Sequence, residues 1–540
     1  MFSGNRQTPA GDRQLSIVSV QYATSTGNSG YETAESFIFN SGKTTVKFVR
    51  AELDGETIWD ESSGNADDAA RRFRFDIGGV NVAAPASAVN PDILWRQFQP
   101  SPVFKAGEAG VFQICFKGAI AREKSFELKL ESESGETFTA TIPRHTRPAR
   151  TIQALALSAD GSQVTIRYSP GPAPVRFFSN GIPVGFHIFE SAEKNRPGVM
   201  VATLPRKLKT GENMLSCLYF DDGSVRRTFQ RALPGISIEA PSPDEWKDLP
   251  ENITRKYGFD TKQRILRTSY DVVCDDTRAK QPGSLATAVI KERIDFTAKN
   301  PEQLYGVDFC TALFPEAWNI YAPIADAVII KPYQLNWGTD PDRFIELEDA
   351  RIATDIAAAM PRPVLWVPER FGSAADERIS RLHGEETEVL SWVALMRGAR
   401  GIRHHWWKNP GADKFAGRED IAETLPKLNA DIDKIRPILD TMVAMGASPD
   451  RANNTVVYEA WNPDGILLMV RNMNYALSDG QIRTTPRTVT ISHPLPLWLS
   501  AHSATDPLTG ESIPFTATEN SAQITIPDLA AFKLIRITNK

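Results

Sequence analysis

Asp275 and Asp276 follow the extended run Thr268-Ser-Tyr-Asp-Val-Val-Cys274, and Glu369 follows Val364-Leu-Trp-Val367 after Pro368. A carboxyl at the C-terminal end of a strand is where parallel α/β units gather acid/base groups. Neighbouring strand residues point to opposite faces, so only one of Asp275 and Asp276 aims into a shared cleft. The competing role for that pair is a solvated turn or a cap, and for Glu369 it is an ion pair with Arg370. Glu316 stands between Pro315 and Trp318 in the segment after Cys310. A carboxyl beside an indole that excludes water is suited to act as a general acid. Asp275, Asp276, Glu369 and Glu316 are therefore the catalytic candidates.

Flat rings accompany these carboxyls. Tyr333 and Trp337 follow one apolar run, and His404, His405, Trp406 and Trp407 end another. Sugars offer apolar C–H faces and hydroxyl edges, which such rings and polar donors match. The competing role of the tryptophans is core packing. Adjacent histidines on a strand diverge, and no carboxylate is spaced to complete a ligand set, so neither a metal nor another cofactor is expected. Glu385 and Glu386 fit the first turn of a helix, where the dipole favours negative charge. Asp326 opens a strand at its N-terminal end, away from any such cleft. Phosphate-loop, nucleophile-elbow and His-Glu-x-x-His patterns are absent from the sequence.

The 540 residues exceed one compact core and predict several domains. A composition of 41% hydrophobic and 24% charged residues is ordinary for globular protein, and the net charge of −5 argues against a nucleic-acid partner. No apolar run has the length of a membrane span. The opening residues show no charged n-region followed by an apolar h-region, so the expected location is cytoplasmic, or secreted or periplasmic if a signal has been removed. Cys115, Cys217, Cys274 and Cys310 lack metal-type spacing and are read as buried free thiols rather than disulfides.

The elements that must hold these side chains fall into four regions. Residues 1–148 alternate in short strands, with Asp54-Gly55 and Ser134-Gly135 as turns, and predict a β-sandwich. Residues 149–238 repeat the pattern, with Asn180-Gly181 and Asp222-Gly223 as turns, and predict an immunoglobulin-like sandwich. Residues 239–446 alternate strand and helix, which implies a parallel sheet. The predicted strands are 265–274, 304–310, 327–330, 364–367 and 401–405, with helices over 284–298, 342–360, 385–397 and 420–443. On the last helix Ile421, Leu425, Leu428, Ile432, Ile435 and Leu439 share one face. Residues 447–540 return to strands and predict a C-terminal antiparallel sandwich.

Three stretches, Ile324-Ala-Asp-Ala-Val-Ile-Ile-Lys-Pro-Tyr333, Pro363-Val-Leu-Trp-Val-Pro-Glu-Arg-Phe371 and Ala394-Leu-Met-Arg-Gly-Ala-Arg-Gly-Ile402, carry a resemblance. The first two are similar to strands of glycoside-hydrolase-type (β/α) barrels from multi-domain bacterial carbohydrate-active proteins, and the third, with Glu385-Glu386 ahead of it, to the helix and glycine-rich entry to the final strand. The tail stretch Asp506-Pro-Leu-Thr-Gly-Glu-Ser512 resembles the sandwich that follows many such barrels. The resemblance implies a TIM-type barrel flanked by sandwiches, and a glycoside hydrolase acting on a poly- or oligosaccharide through paired carboxyls. Five strands in about 190 residues fall short of the usual eight, which implies a reduced barrel. The alternative is a non-catalytic glycan-binding or scaffold protein on a degenerate barrel.

Overall fold

The computed structural model describes residues 15–23, 31–61, 73–77, 80–84, 93–117, 125–143, 152–190, 196–239, 266–271, 283, 285–310, 315–331, 344–360, 362–368, 384–403, 419–478, 481–500, 503–518 and 520–539. The chain is rich in strands, most of them in antiparallel sheets.

Alternation of apolar and polar residues builds the first pair of sheets. One has the order Leu15–Ala23, Tyr31–Asn40, Ala109–Lys117, Ile93–Gln99. The other runs Thr137–Ile142, Phe126–Ser132, Val46–Leu53, Glu56–Asp60. Between them Phe48 stacks on Phe98 at 5.4 Å, and Phe116 stacks on Phe126 at 5.1 Å. The Asp54-Gly55 turn joins paired strands as expected, with φ of 49° and 83°. Two consecutive positive φ values match the right-handed twist of a two-residue hairpin.

A second pair of sheets follows. Its orders are Ile152–Leu157, Gln163–Tyr168, Gly198–Thr203, Phe186–Glu190, and Ile182–Val184, Pro174–Ser179, Asn213–Phe220, Val225–Arg231. The Asn180-Gly181 turn again has positive φ at both residues. A Cβ on Gly181 would stand 2.3 Å from the Phe39 ring, so this turn also needs glycine to seat against the first sheet pair. Cys115 and Cys217 are buried free thiols in these two regions. Burial raises the Cys115 thiol far above its usual range and pushes Cys217 up to about 11.

The parallel sheet has six described strands, numbered within it: β1 (Ser237–Glu239), β2 (Leu266–Asp271), β3 (Leu304–Cys310), β4 (Ala327–Lys331), β5 (Val364–Trp366) and β6 (Gly401–Arg403). Its order is β1-β6-β5-β4-β3-β2, every neighbour parallel. Sequence periodicity missed β1, because three residues are too few to show a period. Five described helices accompany the sheet: α1 (Ala286–Lys299), α2 (Pro315–Tyr321), α3 (Phe344–Ala359), α4 (Gly384–Arg397) and α5 (Glu419–Leu439). Tyr305, Val307, Phe309, Val328, Ile330, Val364, Trp366 and Ile402 bury one face of the sheet in a common core with the helices. Each such side chain contributes about 2–3 kcal/mol of transfer free energy.

The expected helix over 420–443 stops earlier. α5 ends at Leu439, and Val443 begins a strand that runs to Asp450. The backbone carbonyls at the end of α5 accept from the guanidinium of Arg400, which fixes the stop. Leu428, Ile432, Ile435 and Leu439 are buried on one face, as the periodicity predicts.

On α3, Asp355 lies 3.2 Å from Arg351, and burial pushes its carboxyl from 3.8 up to about 6. A raised carboxyl binds its proton more tightly in the folded state than in the unfolded one. Its contribution is fully present at low pH and is lost as pH rises from about 4 through about 6. The expected loss is on the order of 3 kcal/mol. Urea unfolding of wild type and Asp355→Asn at pH 4.5 and pH 7 checks this: only wild type should carry the roughly 2 kcal/mol of that loss that falls between these pH values, and equal losses would refute it.

The last region packs the sheet Val443–Asp450, Thr455–Asn462, Gly465–Asn472, Phe532–Thr538, Ser503–Thr505 against Arg487–Pro494, Ser521–Leu529, Phe515–Ala517. Every residue of Gly465–Asn472 is buried. Leu467 and Met469 join the core shared with the helices, whereas Ile466, Leu468 and Val470 join the core between the two sheets. Burial on both faces explains an unbroken apolar run in an antiparallel strand.

Candidate functional site: the C-terminal rim of the parallel sheet

Side chains on the face of the parallel sheet opposite the helices change character along the strands. Leu304, Ala327, Ile329, Leu365 and Val367 form a small buried cluster with Leu233, separate from the helix-facing core. Towards the C-terminal ends the same strands carry charge: Glu239 on β1, Asp308 on β3, Lys331 on β4 and Arg403 on β6. Period-two alternation puts Asp308 in phase with Leu304, and Lys331 in phase with Ala327 and Ile329.

The four charges form two pairs. The Lys331 ammonium is ion-paired with Asp308 Oδ2, both side chains being more than nine-tenths buried. Arg403 Nη1 stands 3.9 Å from Glu239 Oε2, with side chains 9% and 1% exposed. The second separation is beyond hydrogen-bond range. Strand register explains the pairing, since Glu239 aligns with Arg403 across β1 and β6. Gly401 permits that approach: a Cβ there would stand 2.4 Å from the Ser237 carbonyl oxygen and 3.2 Å from Leu365 Cγ.

Buried polar atoms at this rim with no hydrogen-bond partner among the described residues include Asp308 Oδ1 and Arg403 Nη1. Buried polar atoms are nearly always paired, so an open acceptor and an open donor on one face suit a ligand or water that bonds to them.

The opposite, N-terminal end of the sheet holds a purely structural cluster. Asp326 immediately precedes β4, at the N-terminal end expected from sequence, and is fully buried. Its carboxylate accepts from Arg231 Nη1 at 3.1 Å, Gln99 Nε2 at 2.9 Å and the Tyr305 amide at 3.0 Å. Arg293 and Arg362 are buried nearby and donate to backbone carbonyls of Phe98, Pro100, Phe229 and Pro323. Burial pulls Arg293 down to about 10 and lowers Arg362.

Most side chains singled out in the sequence lie outside the described residues: Asp275, Asp276, Glu369, Tyr333, Trp337, His404, His405, Trp406 and Trp407. Glu316 falls within the short helix α2, and its side chain also lies outside the description. Its neighbour Trp318 is a core residue, stacked on Phe309 at 4.1 Å with a 2° interplanar angle. Glu385 and Glu386 occupy the first turn of α4, as their types predict, and burial followed by the Glu388 charge raises the Glu385 carboxyl.

Glu239, Asp308, Lys331 and Arg403 were not among the sequence candidates. Asp308, Lys331 and Arg403 stand near the ends of strands visible in the sequence, but the opposite charge beside each was not, and Glu239 lies on a strand too short to show a period. Among the described residues no group of three His, Cys, Asp or Glu side chains is placed to hold a metal ion, and no helix is long and apolar enough to cross a membrane.

No family model and no curated protein matches the chain. Among solved structures, it is similar to a candidate glycoside hydrolase from Bacteroides vulgatus ATCC 8482, at 11% identity and a TM-score of 0.31, covering 98% of each chain. It is also similar to a family 5 glycoside hydrolase from the same organism, at 12% identity and a TM-score of 0.30, over 50% of this chain and 68% of the other. A GH30 endoxylanase from Clostridium papyrosolvens C71 is similar at 10% identity and a TM-score of 0.30, over 58% of this chain and 73% of the other.

Proposed function

We propose that the chain is a glycoside hydrolase that cleaves a poly- or oligosaccharide at the C-terminal rim of its parallel sheet. The observation that carries this reading is the change along the strands, from an aliphatic interior to buried Glu239, Asp308, Lys331 and Arg403 at one end. Parallel α/β sheets place their chemistry at that end. The strand order, with β1 beside β6, supports a reduced (β/α) barrel whose seam lies between β1 and β2. On this reading residues 1–148 and 149–238 are sandwich domains, the second immunoglobulin-like, 239–446 the barrel and 447–540 the C-terminal sandwich, with β1 crossing the second boundary and the strand Val443–Asp450 the third.

Hydrolysis needs two carboxyl groups flanking the scissile bond. Asp275 or Asp276, Glu369 and Glu316 remain the proposed acid/base and nucleophile, because they follow β2, β5 and β3 at the same end. Tyr333, Trp337, His404, His405, Trp406 and Trp407 are the proposed sugar-binding groups. Asp275→Asn, Asp276→Asn, Glu369→Gln and Glu316→Gln are to be assayed singly for reducing-sugar release from soluble polysaccharides. Loss of a general acid or base is expected to lower the rate about 10²–10⁴-fold. Full activity in all four variants would defeat the assignment.

One observation favours a second reading, a glycan-binding protein without turnover. Glu239 and Asp308, the rim carboxylates whose side chains are described, each have a cation beside them. Retention of a polysaccharide with no sugar released over prolonged incubation selects this reading, and measurable release rejects it.

A further inference from the structure

We infer that Asp308 and Arg403 contact the glycan directly, Asp308 as the acceptor for a sugar hydroxyl and Arg403 as a donor to a sugar oxygen. Lys331 is the positioning residue that holds the Asp308 carboxylate. The inference rests on the glycan reading of the rim and assigns residues to it.

Three features of the geometry support it. First, the Lys331 ammonium takes Asp308 Oδ2 and leaves Oδ1 as a buried acceptor with no partner among the described residues. Second, Arg403 Nη1 is a buried donor in the same condition, too far from Glu239 Oε2 to bond to it. Third, both lie on the face opposite the helices, at the same end of strands β3 and β6. A carboxylate oxygen only accepts and a guanidinium only donates, so a ligand that satisfies both must offer a hydroxyl proton and an oxygen lone pair. Hydroxyls of a neutral sugar offer both.

β3 and β6 are separated by three strand spacings, which is at most about 14 Å along the sheet. A ligand that meets both atoms must cross that span, which an oligosaccharide does and a single small sugar does not. The inferred ligand is therefore an uncharged glycan of two or more units, lying across the rim from β3 to β6.

The test uses the full chain in affinity gels containing xylan, mannan, β-glucan or starch. Removing one member of a buried ion pair strands the other, so the main variant is the double replacement Asp308→Leu with Lys331→Met, which leaves no buried charge behind. At an unchanged melting temperature, this variant is expected to lose at least tenfold in affinity for whichever polysaccharide retards wild type. Lys331→Arg is expected to keep wild-type retardation and Lys331→Met to lose it, a difference that follows from positioning the carboxylate. If the double variant loses its fold, the isosteric Asp308→Asn is judged by the same tenfold criterion. Unchanged retardation of a folded Asp308 variant overturns the inference and leaves the glycan reading standing. A wild-type chain retarded by none of the polysaccharides, and releasing no sugar from them, overturns both.

Discussion

Replacing Asp326 with alanine is expected to cost about 3–5 kcal/mol of stability, the usual consequence of removing one member of a buried, hydrogen-bonded ion pair. The carboxylate lies between Arg231, Gln99 and the Tyr305 amide, and both members of its ion pair are essentially inaccessible to water. Without it the Arg231 guanidinium retains its bonds to the carbonyls of Gly211 and Gln303 but no counter-charge within the cluster. The arginine belongs to the second sheet pair, the aspartate to the parallel sheet and Gln99 to the first sheet pair. The loss should therefore appear in urea unfolding as a lower midpoint for all three regions together. An unfolding free energy within about 0.5 kcal/mol of wild type would show that the cluster does not tie them.

Arg400→Met should be comparably damaging. The guanidinium donates to the carbonyl oxygens of Asp440 at 2.9 Å, Leu439 at 3.2 Å and Gly235 at 3.3 Å. Burial pulls this arginine down to about 10 even though the Asp440 carboxylate raises it. Methionine fills similar space but removes the guanidinium donor from the Asp440 and Gly235 carbonyls and leaves Leu439 with the Met442 amide alone, for an expected cost of about 3–5 kcal/mol. Because Gly235 precedes β1 and Leu439 ends α5, the change should accelerate amide exchange at both places. Exchange that is faster at only one of them would place the junction elsewhere.

The sequence made the strands and helices legible wherever they were long enough to repeat. Leu304–Cys310, Ala327–Lys331 and α4 appear where hydrophobic pattern and helix-start chemistry predict them. The Asp54-Gly55 and Asn180-Gly181 hairpins were legible for a local reason, since both turns need positive φ at consecutive residues. β1 was not legible. Three residues show no period, and Ser237–Glu239 becomes a strand only because β6 presents a parallel edge to it. The end of the last helix was missed for a related reason: Val443 continues the apolar pattern of α5, but its place in the following strand is set by pairing with Trp461.

The rim charges were a different failure. Lys331 and Arg403 stand at ends of strands that the sequence already revealed, yet candidates were sought only in the residues after those ends. A charge at the final position of a buried strand has no local signature, and its meaning depends on the opposite charge that register places beside it.

The pairing of β1 with β6 also sets the order in which the molecule can be built. Ser237 aligns with Gly401, a separation of roughly 160 residues, so this is the least local of the described strand pairings. During synthesis β1 has to wait, with an unsatisfied edge, while the intervening strands and helices emerge from the ribosome. Its Ser237 amide bonds to the Arg400 carbonyl only once that final stretch is available. In pulse-labelled refolding this amide should gain protection after those of the preceding sandwich, and early protection would contradict that sequence of events. The pairing of β1 with β6 is thus the last part of the sheet to be made.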